Sequence, residues 1–205
     1  MRAGHAVVGI VLVAALAAAG AGCALQAGRQ GGAEVTGMEE AVAASALEGF
    51  ANPAEGIHSG GRISAADLPA LGAAGVRHVI DLTADGETPD FDEAAAVRAA
   101  GMRYDNLPVR GAEGLTRENV VAFDRLLEGI DGPTLVHCAS GNRVGALAAL
   151  RAAWLDGADD EAAVAEGRRW GLRGLEGEVR GRLQRERCLA TARGEEALAR
   201  CAAGG

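Results

Sequence analysis

The sequence predicts an α/β fold, with a mostly parallel central sheet covered by helices on both faces. Three observations predict it. Short aliphatic runs alternate with segments of helical period from about residue 64 onward. Gly, Pro and Asp punctuate the joins. One strand-like run, Thr134 to Val136, delivers Cys138 into a glycine-bearing loop that enters an alanine-rich helix.

The elements follow in order. Ser64-Ala65-Ala66-Asp67 is a capped start for a helix carrying Leu68 and Leu71, which ends at Gly72 to Gly75. Arg77 to Leu82 reads as a strand built on Val79, Ile80 and Leu82, and Thr83 to Pro89 as loop. Phe91 to Ala100 is helical, and Gly101 stops it. Met102 to Val109 is the next strand, followed by the loop Gly111 to Gly114. Thr116 caps a long helix whose Val120, Phe123, Leu127 and Ile130 recur at helical spacing. Asp131-Gly132-Pro133 turns the chain into the Cys138 strand, and helices over Val144 to Trp154 and Asp159 to Trp170 complete the packing. Trp154 and Trp170 are expected to cover core surface.

The functional information is concentrated in His137-Cys138-Ala139-Ser140-Gly141-Asn142-Arg143. Strand, loop and helix in that order make an anion cradle, because loop N–H groups and the positive end of the helix dipole converge on one spot. A cysteine there is favoured as thiolate, and Arg143 offers a planar fork to two oxygens of an oxyanion. Ala139, Ser140, Gly141 and Asn142 would supply the loop contacts. A buried, inert Cys138 is the competing reading, but packing alone gives no reason for Gly141 and Arg143. Read from the residues alone, His137 can simply fill a core position. In sheets of this kind ligands bind beyond the carboxyl ends of the strands, where Cys138 falls.

The same loop resembles the signature of the cysteine-dependent phosphatases, in which Cys attacks phosphorus and Arg holds the equatorial oxygens. Further segments narrow the resemblance: Ile57-His58-Ser59-Gly60-Gly61-Arg62-Ile63-Ser64, Gly75-Val76-Arg77-His78-Val79-Ile80-Asp81-Leu82, Gly101-Met102-Arg103-Tyr104 with Leu107-Pro108-Val109, and Glu166-Gly167-Arg168-Arg169. Together, across residues 50 to 183, they resemble the beta-lactamase-hydrolase-like, phosphatase-like domain, a bacterial group related to dual-specificity phosphatases. Those phosphatases place five residues between Cys and Arg. Here there are four, Ala139 to Asn142, which is the spacing of rhodanese-type sulfurtransferases. Val144 stands where many phosphatases carry Ser or Thr. The resemblance implies that His137 orients the loop, at the substrate's edge. The resemblance also implies an Asp general acid some thirty residues before the cysteine, and Val109 to Gly114 contains none. Glu113 is the nearest carboxylate on that loop and Asp105 lies earlier, on the strand; Asp81 and Glu87 are further candidates for the cleft. Three functions therefore stand open: a phosphatase on phosphoprotein or small phosphate esters, a sulfurtransferase with a Cys138 persulfide, and a non-catalytic oxyanion-binding module of the cell envelope.

The chain ends carry separate expectations. Residues 1 to 22 read as a secretory signal: Arg2, an apolar run from Ala6 to Ala19, then Gly20-Ala21-Gly22 before Cys23. A cysteine after small residues suggests lipidation at Cys23 and attachment to a membrane through it, although Gly20 stands where a leucine is usual. Residues 23 to 48 suit a flexible linker, residues 49 to 187 the phosphatase-like domain and residues 188 to 205 a tail. The expected location is the periplasm or cell envelope. In an oxidising compartment Cys188 and Cys201 are expected to bridge, with a helix over Ala190 to Leu198 folding back between them. The formal charge is −8 and all 20 basic side chains are Arg, with no basic run, so nucleic acid is not an expected partner. With histidines only at positions 5, 58, 78 and 137 and no Cys/His spacing, no metal or other cofactor is expected.

Overall fold

The computed structural model describes residues 47–203. The expected signal segment, Cys23 and nearly all of the expected linker lie outside the described residues. Five strands form one sheet: β1 (Ala51–Ala54), β2 (Ile57–Gly60), β3 (His78–Asp81), β4 (Arg103–Asn106) and β5 (Thr134–His137). Their spatial order is β1-β2-β5-β3-β4, with β1 antiparallel to β2 and every other pair parallel. The sheet is thus mixed, its antiparallel edge coming from a hairpin that the sequence did not announce: Ala51-Asn52-Pro53-Ala54 has little β-propensity.

Among the described residues seven helices accompany it: α1 (Leu68–Ala73), α2 (Glu93–Ala99), α3 (Arg117–Glu128), α4 (Asn142–Trp154), α5 (Asp160–Arg169), α6 (Glu176–Thr191) and α7 (Glu195–Ala203). Their starts are chemically marked. Asp92, Thr116 and Asp159 each accept a hydrogen bond from the backbone N–H three residues on, satisfying an orphan donor of α2, α3 and α5. Asp67 instead turns its carboxylate back to Ser64 N and Oγ, both at 2.8 Å, so residues 64 to 67 form a turn before α1 rather than a capping box.

Strand alternation divides the core into two layers. Val79 and Leu135 face α1 and α2, packing with Leu68, Leu71, Val76, Val97 and Met102. Ile80 and Val136 face the other way, toward Phe123, Leu147, Val164 and Leu183 of α3 to α6. Within that second layer α4 is buried from Arg143 to Leu150, so it is apolar all round rather than amphipathic. Gly145 and Gly167 let α4 and α5 touch: a Cβ on Gly145 would strike the Leu172 backbone and the Gly167 carbonyl. Trp170 lies in this core edge-on to Phe123, ring centroids 6.0 Å apart.

The end of the chain differs from expectation. The segment Ala190 to Leu198 is not one helix. α6 runs on to Thr191, the chain turns at Ala192 to Gly194, where Gly194 takes φ +86°, and α7 returns. Cys188 and Cys201 are joined by a disulfide across this turn, with Cα atoms 5.5 Å apart. Among the described residues no helix is long and apolar enough to cross a membrane.

Candidate active site

The cysteine loop begins where β5 ends. Cys138 N–H donates to Gly60 O at 3.2 Å, and Arg62 N–H reaches Ala139 O at 3.4 Å, so the β2 end splints the loop. Gly141 takes φ +81°, a left-handed conformation that glycine adopts without strain. Its α-carbon also passes close to the β2 end, since a Cβ there would lie 3.2 Å from Gly60 Cα. From this residue α4 starts, and the first bond is Gly145 N–H to Gly141 O at 3.0 Å. The N–H groups of residues 142 to 144 therefore precede the intrahelical ladder at the positive end of a thirteen-residue helix.

Cys138 is a free thiol with no exposed surface, held on the α4 face of the sheet. Arg143 curls over the same spot. Its Nη1 donates to Glu87 Oε1 (2.6 Å), Val109 O (2.7 Å) and Leu82 O (3.3 Å), and its Nη2 donates to Glu87 Oε2 (2.7 Å). The Glu87 contact uses the outer edge of the guanidinium. Of five N–H donors, those on Nε and one on Nη2 stay outside these bonds, and they lie on the parallel edge suited to an oxyanion. The Glu87 hydrogen bond, and after it the nearby Cys138, hold Arg143 more firmly protonated than a free guanidinium. Arg143 in turn is the main reason that the Glu87 carboxyl falls from 4.5 to about 2. Glu87 is thus an acceptor at neutral pH, and it positions Arg143.

The cradle opens into a cavity of about 420 Å³ lined by Glu87, Gly111, Ser140, Asn142, Arg143 and Leu175. Ser140 is an exposed lining residue, and the neighbouring Ala139 is also exposed. The Asn142 side chain is committed elsewhere: its Oδ1 accepts from Arg173 N (2.9 Å) and Leu175 N (3.2 Å), clamping the segment after α5 against the loop.

Three further residues were expected at the cradle, and the structure places them as follows. Asp105 does not join the cradle. Its carboxylate pairs with His78 Nε2 (2.7 Å) and Arg103 (2.8 Å), at the end of β3 remote from the cysteine loop. Burial lowers the His78 pKa, more than Asp105 raises it. Glu113 is exposed on the turn Gly111 to Gly114 and is not among the cavity's lining residues, although Gly111 of the same turn is. His137 does not present its side chain to a substrate. It points to the opposite face of the sheet, fully buried, with Nε2 2.6 Å from Glu93 Oε1 and 3.7 Å from Asp81 Oδ1. Strand alternation is the reason: adjacent residues of an extended chain face opposite sides, so Cys138 and His137 cannot share one.

That opposite face holds a second polar centre. Asp81 Oδ2 accepts from Tyr104 OH and Thr83 Oγ1, both at 2.8 Å, and Asp81 Oδ1 accepts from Thr83 N at 2.7 Å. Burial, reinforced by Asp81, pushes the Tyr104 phenol far above its ordinary range, so it is a fixed donor. Asp81, Glu93 and His137 bring one potential metal-ligating atom each to within 4.8 Å of one another. Widely separated in the sequence and on three elements, they form no spacing motif.

The β3-β5 sheet, the cysteine loop at a strand's carboxyl end and the Arg143 fork define the phosphatase-like class of α/β proteins. Residues 52–154 match the family described as beta-lactamase hydrolase-like protein, phosphatase-like domain, and the chain belongs to that family. Among curated relatives, the beta-lactamase hydrolase-like protein of Agrobacterium fabrum is 38% identical over 96 residues, covering 45% of this chain and 22% of that protein. The match thus spans about a fifth of the relative's length. Among solved structures, a candidate phosphatase from Shewanella putrefaciens CN-32 superposes with a TM-score of 0.51 at 25% identity, over 67% of this chain and 94% of its own. A second candidate phosphatase, from Neisseria meningitidis Z2491, gives 0.56 at 20% identity over 67% and 96%, a likeness of fold.

Proposed function

We propose that this chain is a cysteine-dependent phosphatase of the cell envelope, hydrolysing phosphate monoesters through a Cys138 thiophosphoryl intermediate. What carries this reading is Arg143: Glu87 holds one edge of its guanidinium, while the Nε edge stays outside those bonds with Cys138 close by. The Cys138 thiolate attacks phosphorus as the ester P–O bond breaks, and the leaving oxygen takes a proton. Water then attacks phosphorus, the S–P bond breaks, and orthophosphate departs with the thiolate restored. Arg143 and the N–H groups at the start of α4 hold the equatorial oxygens throughout. Of the residues lining the cavity only Glu87 is a carboxylate, and it is ionised, so leaving-group protonation falls to Glu113 from its exposed turn or to water. Aryl phosphates, whose phenols leave readily, are the favoured substrates.

The test is hydrolysis of a small aryl phosphate by the reduced full chain across pH 5 to 8. Cys138→Ser and Arg143→Ala should each abolish turnover, and Glu113→Gln should lower it by up to about 10²-fold if Glu113 is the acid. A parent no faster than Cys138→Ser would sink the phosphatase reading. The short Cys–Arg loop and the acid-poor cavity favour one alternative, a sulfurtransferase in which Cys138 carries a persulfide. Thiosulfate would then load one cyanide-releasable sulfur on the parent and none on Cys138→Ser.

Export and a lipid anchor at Cys23 belong to the same reading and rest on the sequence of residues 1 to 23. The Cys188–Cys201 disulfide is in keeping with an oxidising compartment. Labelled palmitate should enter the expressed chain and be lost in Cys23→Ser.

A further inference from the structure

We propose that the pocket behind the cysteine loop is a site for one divalent transition-metal ion, of the zinc or manganese kind, held by Asp81, Glu93 and His137. The inference stands independently of the chemistry at Cys138. All three groups are buried, at 3%, 4% and 0% exposure, and each offers a ligand atom within 4.8 Å of the others. They come from the end of β3, the first turn of α2 and the end of β5, three elements anchored in the core.

Glu93 supplies the second observation. One of its oxygens meets His137, but Oε2 is buried without a hydrogen-bond partner. A buried carboxylate oxygen with no donor is costly, and a cation is the partner that would satisfy it. Glu93 borders a cavity of about 220 Å³ whose lining includes Asp81, Asp85, Asp92 and Tyr104 and no Arg or Lys. Asp92 is occupied as the cap of α2, which leaves Asp81 and Glu93 as the buried acids facing His137.

Asp81 is already oriented for such a role. Tyr104, Thr83 and Asn106 hold its Oδ2, and Thr83 N–H takes one lone pair of Oδ1. The other lone pair of Oδ1 remains available near His137 Nε2, 3.7 Å away. Bonds of about 2.0–2.2 Å in a tetrahedral site place donors roughly 3.3–3.6 Å apart. The Asp81–His137 separation of 3.7 Å is near that range, and the 2.6 Å Glu93–His137 contact would open by roughly 0.7–1.0 Å to admit the ion. One imidazole with two carboxylates suits zinc, manganese or ferrous ions rather than calcium or magnesium, which prefer all-oxygen sets. The cavity side leaves room for water in the remaining position. An ion there would pin His137, the residue before Cys138, from the face of the sheet opposite the cradle.

The test uses the full chain with Cys23→Ser and Cys138→Ser, its disulfide intact, so that no free thiol competes for metal. After dialysis against a chelator it is titrated separately with Zn²⁺ and Mn²⁺, and bound metal is counted after gel filtration. One ion per chain is expected, with affinity lowered about tenfold or more in Asp81→Asn and Glu93→Gln. In parallel, ¹⁵N spectra of this thiol-free chain with Zn²⁺ should show the His137 Nε2 resonance move, a readout that needs no ligand variant to fold. Failure of either ion to bind stoichiometrically, unchanged affinity in folded Glu93→Gln, or zinc binding that leaves the His137 ring unshifted would each overturn the proposal.

Discussion

At the scale of single residues, the Arg143–Glu87 pair decides most. Both oxygens of Glu87 accept from Arg143, and the guanidinium is nearly buried. Removing the charge in Glu87→Gln should leave Arg143 free to swing, lowering kcat/KM for an aryl phosphate by roughly 10–100-fold, in the range expected when an anchored oxyanion donor loses its position. The same pair makes a pH prediction. The Glu87 carboxyl lies at about 2 in the folded protein against an ordinary 4.5. Its stabilisation is therefore complete above pH 4.5 and is lost as pH falls toward 2. After allowance for solvent screening it is on the order of 1–2 kcal/mol. Thermal melts of parent and Glu87→Gln should thus differ at pH 6 and converge near pH 2. Cys138 and Arg143 were legible in the sequence because strand, glycine and arginine are contiguous there. Glu87 could be named only as one carboxylate among several, since its partner is 56 positions away.

At the scale of elements, the contact of α4 with α5 sets how rigidly the cradle is held. Gly145 lies two residues after Arg143, and there is no room for a methyl group between it and the backbone around Gly167 and Leu172. Gly145→Ala should destabilise the domain by about 1–3 kcal/mol, the usual cost of overpacking. For a chain of this size that corresponds to a fall in Tm of roughly 2–12 °C. Gly72→Ala, in α1 with nothing within 4 Å of its added Cβ, should change Tm little and serves as the control. The helices with clear period and a capping Asp or Thr were readable in advance, because those signals are local. α6 was not foreseen: it buries only Val179 and Leu183 and is otherwise Arg- and Glu-rich, so little periodicity betrays it. The β1–β2 hairpin was hidden for a related reason, its strands being short and poor in β-branched residues.

At the scale of the whole molecule, the disulfide joins two peripheral helices. It closes a separation of 13 residues, and α7 packs chiefly on α6. The chain-entropy view gives about 3 kcal/mol for a loop of that size, but the gain is local to the α6–α7 hairpin. Cys201→Ser should therefore abolish hydrogen-exchange protection across Glu195–Ala203 while leaving the cradle's reactivity toward a thiol reagent within about twofold. A large fall in Cys138 reactivity would mean instead that the tail supports the site.

The sequence by itself determined the mostly parallel α/β character, the cysteine loop with its arginine, and the family, because each depends on residues close together along the chain. Only the tertiary structure decided where the carboxylates lie relative to Cys138. Strand alternation turned His137 away from Cys138, and β3 drew Asp105 to His78 at the far end of the sheet. Folding also gathered Asp81, Glu93 and His137 from three distant segments into one buried centre. Side-chain direction and long-range pairing are properties of the assembled sheet, and no local pattern of residues encodes them.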